Sequence, residues 1–117
     1  MIVIIARFET KPDYSERWPE LVAPLTAATR AEQGNLWFDW SRSLDNPAEY
    51  VLVEALRDGD ARAAHINSDH FKAAVRDLPH ALAANHQPDH RSDWLVRDDA
   101  DEGQLTGVDR SWPHSQR

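Results

Sequence analysis

The chain opens with an almost uninterrupted apolar run, and this run is the strongest constraint on its fold. Residues 2–9 are rich in β-branched and aromatic side chains and lead into the turn Thr10-Lys11-Pro12-Asp13. A strand that is apolar on both faces lies at the centre of a sheet and is covered on both sides. The run Ile2-Val3-Ile4-Ile5 therefore predicts a central first strand and suggests a partner. Arg7 and Glu9 follow far too soon for a signal peptide core or a membrane span.

A helix is predicted between Asp13 and about Glu32, because apolar side chains recur there at helical spacing. Asp13 and Glu16 resemble a capping box at its start. Pro19 and Pro24 each remove a backbone donor. We therefore expect a kinked helix, or an irregular first turn before a regular one.

The next segment predicts a strand that is half polar. Gly34 tolerates positive φ and is expected to end the preceding helix. Residues 35–42 then alternate, with Leu36, Phe38 and Trp40 on one face and polar neighbours on the other.

A second strand is predicted at residues 49–56, antiparallel to the previous one, after the turn Asp45-Asn46-Pro47. Glu54 is the exception in this apolar stretch. A buried carboxylate needs a partner, and a histidine is the natural candidate.

Two short helices are predicted to meet near Ser68. Asp58-Gly59-Asp60 opens the first, which ends near Ile66, and Ser68 is a plausible N-cap for the second. His65 and His70 consequently lie on either side of this junction. The alternative interpretation is that both histidines have only a structural role, since buried histidines are often structural.

The predicted order is strand, helix, strand, strand, helix pair, strand, with Trp94-Leu95-Val96 as the last strand signal. This order is typical of an α+β, ferredoxin-like split βαβ fold with a four-stranded antiparallel sheet and helices on one face. We expect one domain at residues 1–97 and an acidic, polar C-terminal tail at 98–117.

Composition excludes several function classes. The net charge is −7, with 13 basic and 20 acidic residues, which disfavours nucleic acid and anionic membrane partners. The chain has no cysteine, which removes disulfides, thiolate nucleophiles and iron–sulfur clusters. This composition is compatible with the cytoplasm, where we expect the protein to act.

His86 and His90, with Asp89 and Asp93, would have metal-site spacing on a helix. Pro88 lies between them and disfavours a helix, so a polar loop is the preferred interpretation. We expect no metal site and no cofactor.

Four segments resemble the antibiotic biosynthesis monooxygenase family: Ile2 to Phe8 with Lys11-Pro12, Ala28 to Gly34, Tyr50 to Glu54, and His65 to Phe71. The Ser-x-His-Phe motif at residues 68–71 is the most specific of them. The resemblance implies sheet-to-sheet dimerisation into an α/β barrel, with a ligand cleft between the helices and the sheet of each subunit.

Members of that family include cofactor-free oxygenases, haem-degrading enzymes and a sugar-phosphate isomerase. The haem degraders carry an Asn, a Trp and a haem-ligating His where this chain has Ala6 or Arg7, His65 and Val75. The axial ligand is therefore missing, and we expect no haem. The quinone-forming oxygenases typically place a Trp where this chain has Leu56.

The resemblance leads to the hypothesis of a homodimeric, cofactor-independent monooxygenase that acts on a hydroxylated aromatic, polyketide or quinol-like compound with molecular oxygen. Such an enzyme deprotonates its substrate in a dry pocket and admits O₂. The expected catalytic residues are His65, His70 and Glu54. The expected substrate-binding residues are Trp37, Asn35, Asp39 and Phe71.

Two alternatives stay open. One is a non-catalytic dimeric barrel that binds a small apolar metabolite, and the other is an isomerase of a small phosphorylated keto sugar. The isomerase requires a cationic subsite, for which Arg7, Arg42 and Arg57 are the strand-associated candidates.

Overall fold

The computed structural model describes residues 1–83, 95–98 and 105–108. These residues form five strands and four α-helices: β1 Ile2–Glu9, α1 Trp18–Leu21, α2 Ala23–Arg30, β2 Asn35–Arg42, β3 Glu49–Leu56, α3 Gly59–Ile66, α4 Asp69–Asp77, β4 Leu95–Asp98 and β5 Leu105–Val108. Short 3₁₀ helices precede α1 at Pro12–Tyr14 and follow α4 at Pro79–Ala81. None of the described helices has the length and apolar character needed to cross a bilayer.

The strands form one antiparallel sheet in the order β2-β3-β1-β4-β5. β1 is central, as predicted, and pairs with β3 along its whole length, from Ile2 opposite Leu56 to Glu9 opposite Glu49. The first four strands have the order of the split βαβ fold, which confirms the ferredoxin-like α+β prediction. The predicted count of four strands is one too few, because β5 lies within the segment expected to be a tail.

The two faces of the sheet differ in how much of them one chain covers. On the inner face, Ile4, Ala6 and Phe8 of β1 and Leu52 of β3 are buried, and they pack with residues of α1 and α2 in one core. The alternate residues Val3, Ile5, Val51 and Val53 are only partly buried. The predicted burial of β1 on both faces is therefore complete only on the inner face of a single chain.

The prolines divide the first helical region as predicted. Pro19 and Pro24 each occupy the first turn of a separate helix, α1 and α2. The predicted capping box is wrong, because α1 starts after Arg17 and has no side-chain cap. The missing backbone donors of the prolines explain the break, since a first turn needs no donor there.

Two details of the turn into β2 differ from prediction. The register shifts between Asn35 and Trp37, so Leu36 is an extra residue and is 49% exposed instead of facing the core with Phe38. Gly34 does not have positive φ; instead, a Cβ there would lie 2.3 Å from Cβ of Ala61. Glycine is required at this position because α3 packs directly on the turn.

Candidate active site

A carboxylate that sequence reasoning did not single out joins the two predicted histidines. Oε2 of Glu32 lies 2.7 Å from Nδ1 of His65 and 2.5 Å from Nε2 of His70. An ionised carboxylate only accepts hydrogen bonds, so both ring nitrogens donate to it. We call Glu32, His65 and His70 the His–Glu cluster.

The junction of α3 and α4 positions both rings, and the predicted N-cap of α4, Ser68, is confirmed. Asp58 accepts from the amide of Ala61 at 2.8 Å, and Ser68 accepts from the amide of Phe71 at 3.2 Å. The hydroxyl of Ser68 also donates to the carbonyl of His65 at 2.6 Å. Ser68 therefore holds the end of α3 and the start of α4 together.

Glu32 lies in the turn between α2 and β2. Its amide donates to the carbonyl of Thr29 at 3.0 Å, and its carbonyl accepts from the amide of Asn35 at 3.2 Å. These bonds fix the backbone from which the carboxylate reaches α3 and α4. The cluster thus joins the turn after α2 to the α3–α4 junction, whose two histidines lie 33 and 38 positions further along the chain.

The two histidines have different environments. The side chain of His65 is 3% exposed, whereas that of His70 is 25% exposed. Burial lowers the pKa of His65, although the hydrogen bond to Glu32 opposes this. A neutral His65 ring donates through Nδ1, and its Nε2 is buried without a hydrogen-bond partner in the described residues.

Glu54 lies on the inner face of β3, opposite Ile4 and Phe38, and is 2% exposed. Burial, the larger cause, and the negative charge of Glu32, the second cause, raise the pKa of Glu54 to about 8. Its Oε2 has no hydrogen-bond partner in the described residues. The predicted pairing of Glu54 with a histidine is wrong, because both histidines bind Glu32 instead.

Of the four predicted substrate-binding residues, the structure brings only Phe71 to the cluster, with its ring 5.0 Å from that of His65. Asn35 donates to the carbonyl of its neighbour Trp37 at 3.2 Å. Trp37 alternates with the inward Phe38 and is 38% exposed on the outer face. Asp39 is exposed and pairs with Arg30 at 3.4 Å.

Two grooves flank α2. The first, which we call the helix groove, lies between α1, α2 and α4 and has a volume of about 230 Å³; it is lined by Leu21, Pro24, Leu25, His70, Ala73, Ala74, Asp77 and Leu78. His70 is the member of the cluster that reaches it. The lining is otherwise mostly apolar.

The second, which we call the aromatic groove, lies between α1, α2 and the sheet and has a volume of about 300 Å³; it is lined by Trp18, Pro19, Val22, Ala23, Thr26, Ala27, Arg30, Trp40 and Tyr50. Trp40 donates through Nε1 to the hydroxyl of Thr26 at 2.9 Å, which fixes one wall. The tryptophan of β2 that lines a groove is therefore Trp40, and Trp37 is not among the lining residues.

The His–Glu cluster supplies two kinds of chemistry. A histidine oriented by a carboxylate can act as a general base, and three donor atoms from three residues within 4.8 Å of one another can hold a cation. The sequence did not single out Glu32, because a glutamate at the end of a predicted helix is an ordinary surface residue. The one signal available was its place in the Glu32-Gln33-Gly34 segment that shares the family resemblance.

Comparisons with known proteins agree with this fold and name a family. The family model described as antibiotic biosynthesis monooxygenase matches residues 1–77. A protein of Bacillus subtilis (strain 168) named "Putative monooxygenase YcnE" is 29% identical over 84 residues, which are 72% of this chain and 88% of that protein.

Solved structures extend the likeness over most of the chain. The structure of Rv0793 from Mycobacterium tuberculosis is 27% identical with a TM-score of 0.69, covering 83% of this chain and 92% of that one. A structure from Nitrosomonas europaea named "Putative antibiotic biosynthesis monooxygenase" has a TM-score of 0.71, covering 84% and 97% of the two chains. At 24% identity it supports the fold alone. Because the family model matches well over half of its residues, this chain belongs to the antibiotic biosynthesis monooxygenase family.

Proposed function

We propose that this chain is a cofactor-independent monooxygenase that oxidises a hydroxylated aromatic or quinol-like compound with O₂. The observation that supports this most is that His70 both lines the helix groove and binds the carboxylate of Glu32. A reactive group at the edge of a mostly apolar groove is the arrangement expected of a small-molecule site.

His70 is the proposed general base. A neutral imidazole has one donor and one acceptor nitrogen, and Nε2 donates to Glu32. Nδ1 is then the acceptor that takes the proton of the substrate. Glu32 stabilises the imidazolium that forms, as the carboxylate of a catalytic triad does.

His65 and Glu54 act through Glu32. His65 donates a second hydrogen bond to the same oxygen and so holds the carboxylate in place for His70. Glu54, with a pKa of about 8, is protonated at neutral pH and adds no second negative charge beneath Glu32. We therefore propose both as positioning residues and not as groups that touch the substrate.

The reaction needs no external reductant. After His70 removes a proton, the electron-rich substrate carbon forms a C–O bond with O₂, giving a hydroperoxide once the distal oxygen is protonated. Loss of the remaining C–H proton and cleavage of the O–O bond give a carbonyl and water. For anthrone the balance is anthrone plus O₂ to anthraquinone plus water, with the substrate supplying all the electrons.

Oxygen uptake with anthrone as the substrate tests this proposal. We expect anthraquinone formation above the uncatalysed background in the presence of EDTA, and a loss of about 10²–10⁴-fold in His70→Ala. His80→Ala is the matched control, because His80 packs against Tyr14 at 5.3 Å and lines neither groove. No rate above background, or full activity in His70→Ala, would contradict the proposal.

A rise in melting temperature with anthrone, without turnover, would instead identify a binding protein, since a ligand that binds only the folded state stabilises it.

We also propose that the chain is a homodimer joined through the outer face of its sheet. Val3, Ile5, Val51 and Val53 form an apolar strip across β1 and β3 that one chain leaves partly exposed. Such a strip on a soluble protein marks an interaction surface. Val53→Lys should convert a dimer to a monomer in analytical ultracentrifugation, and a wild-type chain that sediments as a monomer at all concentrations would contradict this.

A further inference from the structure

We propose that Glu32, His65 and His70 also form a binding site for a divalent transition-metal ion, with Zn²⁺ as the best fit. Each residue offers one ligand atom, and these atoms lie within 4.8 Å of one another. The site uses the residues of the proposed base but does not depend on the oxygenase reaction. It revises the expectation from sequence that the chain has no metal site.

The donor set favours zinc. Two imidazole nitrogens and one carboxylate oxygen are a known ligand set of catalytic zinc sites, with metal–ligand distances of about 2.0–2.2 Å. Tetrahedral geometry at those distances places neighbouring donors about 3.3 Å apart. The present N···O separations are 2.7 and 2.5 Å, so each nitrogen needs to move from the oxygen by less than about 1 Å. The two ring nitrogens lie within 4.8 Å of each other and need to approach by at most about 1.5 Å.

The ligands are already held in place before a metal arrives. His65 lies in α3 and packs against the ring of Phe71. The hydroxyl of Ser68, at the start of α4, donates to the carbonyl of His65. Glu32 is fixed by the backbone hydrogen bonds of its turn. Binding therefore orders few additional side chains, which favours affinity.

The surroundings also suit a cation with an open coordination position. Three protein ligands leave one position of a tetrahedron free. His70 is the most exposed of the three side chains and lines the helix groove, so the free position is expected on that side.

Metal binding and the proposed base function exclude each other. A metal bound at Nε2 of His70 takes the lone pair of that nitrogen, and the ring proton then moves to Nδ1. Nδ1 can no longer accept the proton of a substrate. Zn²⁺ is therefore expected to inhibit the oxidation, and chelation should restore it.

Calorimetric titration of the full chain with ZnCl₂ tests the site. We expect one Zn²⁺ per chain, with affinity reduced at least about tenfold in Glu32→Gln and in His70→Gln. His80→Ala is one control. The double variant His86→Ala/His90→Ala is the other, because the spacing of these histidines raised the alternative of a metal site there. Both controls should bind within about twofold of the wild type.

Absence of zinc binding, or binding lost only in His86→Ala/His90→Ala, would overturn the proposal. Circular dichroism shows whether each variant folds. If a cluster variant does not fold, X-ray absorption of the wild type with one equivalent of Zn²⁺ decides, because imidazole scattering is expected and its absence contradicts the site. Zinc binding without anthrone turnover in EDTA would refute only the proposed function, and turnover without zinc binding only this site.

Discussion

Two adjacent residues of β3 reverse the usual distribution of side chains, because the polar one is buried on the inner face and the apolar one is partly exposed on the outer face. On the inner face, β3 buries the carboxyl group of Glu54 at 2% exposure. On the outer face, the neighbouring residue Val53 is only partly buried. A carboxyl group is costly to bury, and an apolar strip is unfavourable to expose. The fold of one chain requires neither the buried carboxyl group nor the exposed apolar strip, so each face points to a role beyond folding.

This difference between the two faces indicates which side of the sheet suits chemistry and which suits association. The inner face places Glu54 beneath the His–Glu cluster, where burial and the charge of Glu32 keep it protonated at neutral pH. The outer face carries the apolar strip, which is suited to a second copy, and beside it an ion pair in which Arg7 donates to Glu49 at 2.9 Å. We therefore propose that chemistry takes place on the inner side and association on the outer side.

The largest expected effect contrasts two adjacent residues of β3. Leu52 is fully buried on the inner face, so Leu52→Ala should lower the free energy of unfolding by about 2–5 kcal/mol. Val51→Ala on the outer face should cost under about 1 kcal/mol at concentrations where the chain is monomeric. Urea denaturation at low protein concentration measures both. Equal losses would show that the two faces are not distinct.

An effect of comparable size should appear in the pH dependence of stability. The pKa of Glu54 is raised from 4.5 to about 8, so the folded state retains a proton that the unfolded state loses. The contribution of this retained proton to the free energy of unfolding is fully present below about pH 4.5, declines as pH rises and is lost above about pH 8. Glu54→Gln removes this decline.

Thermal denaturation of wild type and Glu54→Gln from pH 5 to pH 9 measures the difference between the two proteins. The raised pKa corresponds to about 4 kcal/mol over this pH range. At about 4–8 °C per kcal/mol for a small domain, the melting temperature of the variant should gain on that of the wild type by more than about 10 °C. Parallel curves would mean that Glu54 is not protonated in the folded state, and the contrast between the faces would weaken.

The smallest effect is expected for Trp37, which lies on the outer face although sequence reasoning placed it at the substrate. Trp37→Phe keeps an aromatic ring on the outer face, and turnover of anthrone should stay within about twofold of wild type. A large loss of turnover, with association unchanged in ultracentrifugation, would place the substrate on the outer side and contradict the assignment.

The sequence predicted most elements of the fold because their signals are local. Ser68 caps α4 as expected, the Asp58-Gly59-Asp60 segment opens α3 as expected, and the helical region that contains Pro19 and Pro24 is irregular as expected. The position of Leu36 was mispredicted because a register shift in β2 depends on pairing with β3. Simple alternation does not encode such a shift.

The site was only half predictable for a similar reason. His65 and His70 flank one junction, so their proximity follows from the sequence. Glu32 is 33 and 38 positions away from them, and only the packing of the turn after α2 brings it between the rings. A histidine was expected to pair with Glu54 because a buried carboxylate needs a partner, but no local pattern indicates which carboxylate lies within hydrogen-bond distance of the rings.

A double-mutant cycle on Glu32 and His70 tests the central claim most directly, namely that the carboxylate acts through His70. The measurement is kcat for anthrone oxidation in wild type, Glu32→Gln, His70→Ala and the double variant. Residues that act as one unit have non-additive effects, so the double variant should be about as slow as His70→Ala alone. Losses that multiply in the double variant would show that Glu32 and His70 act independently, and would contradict the account.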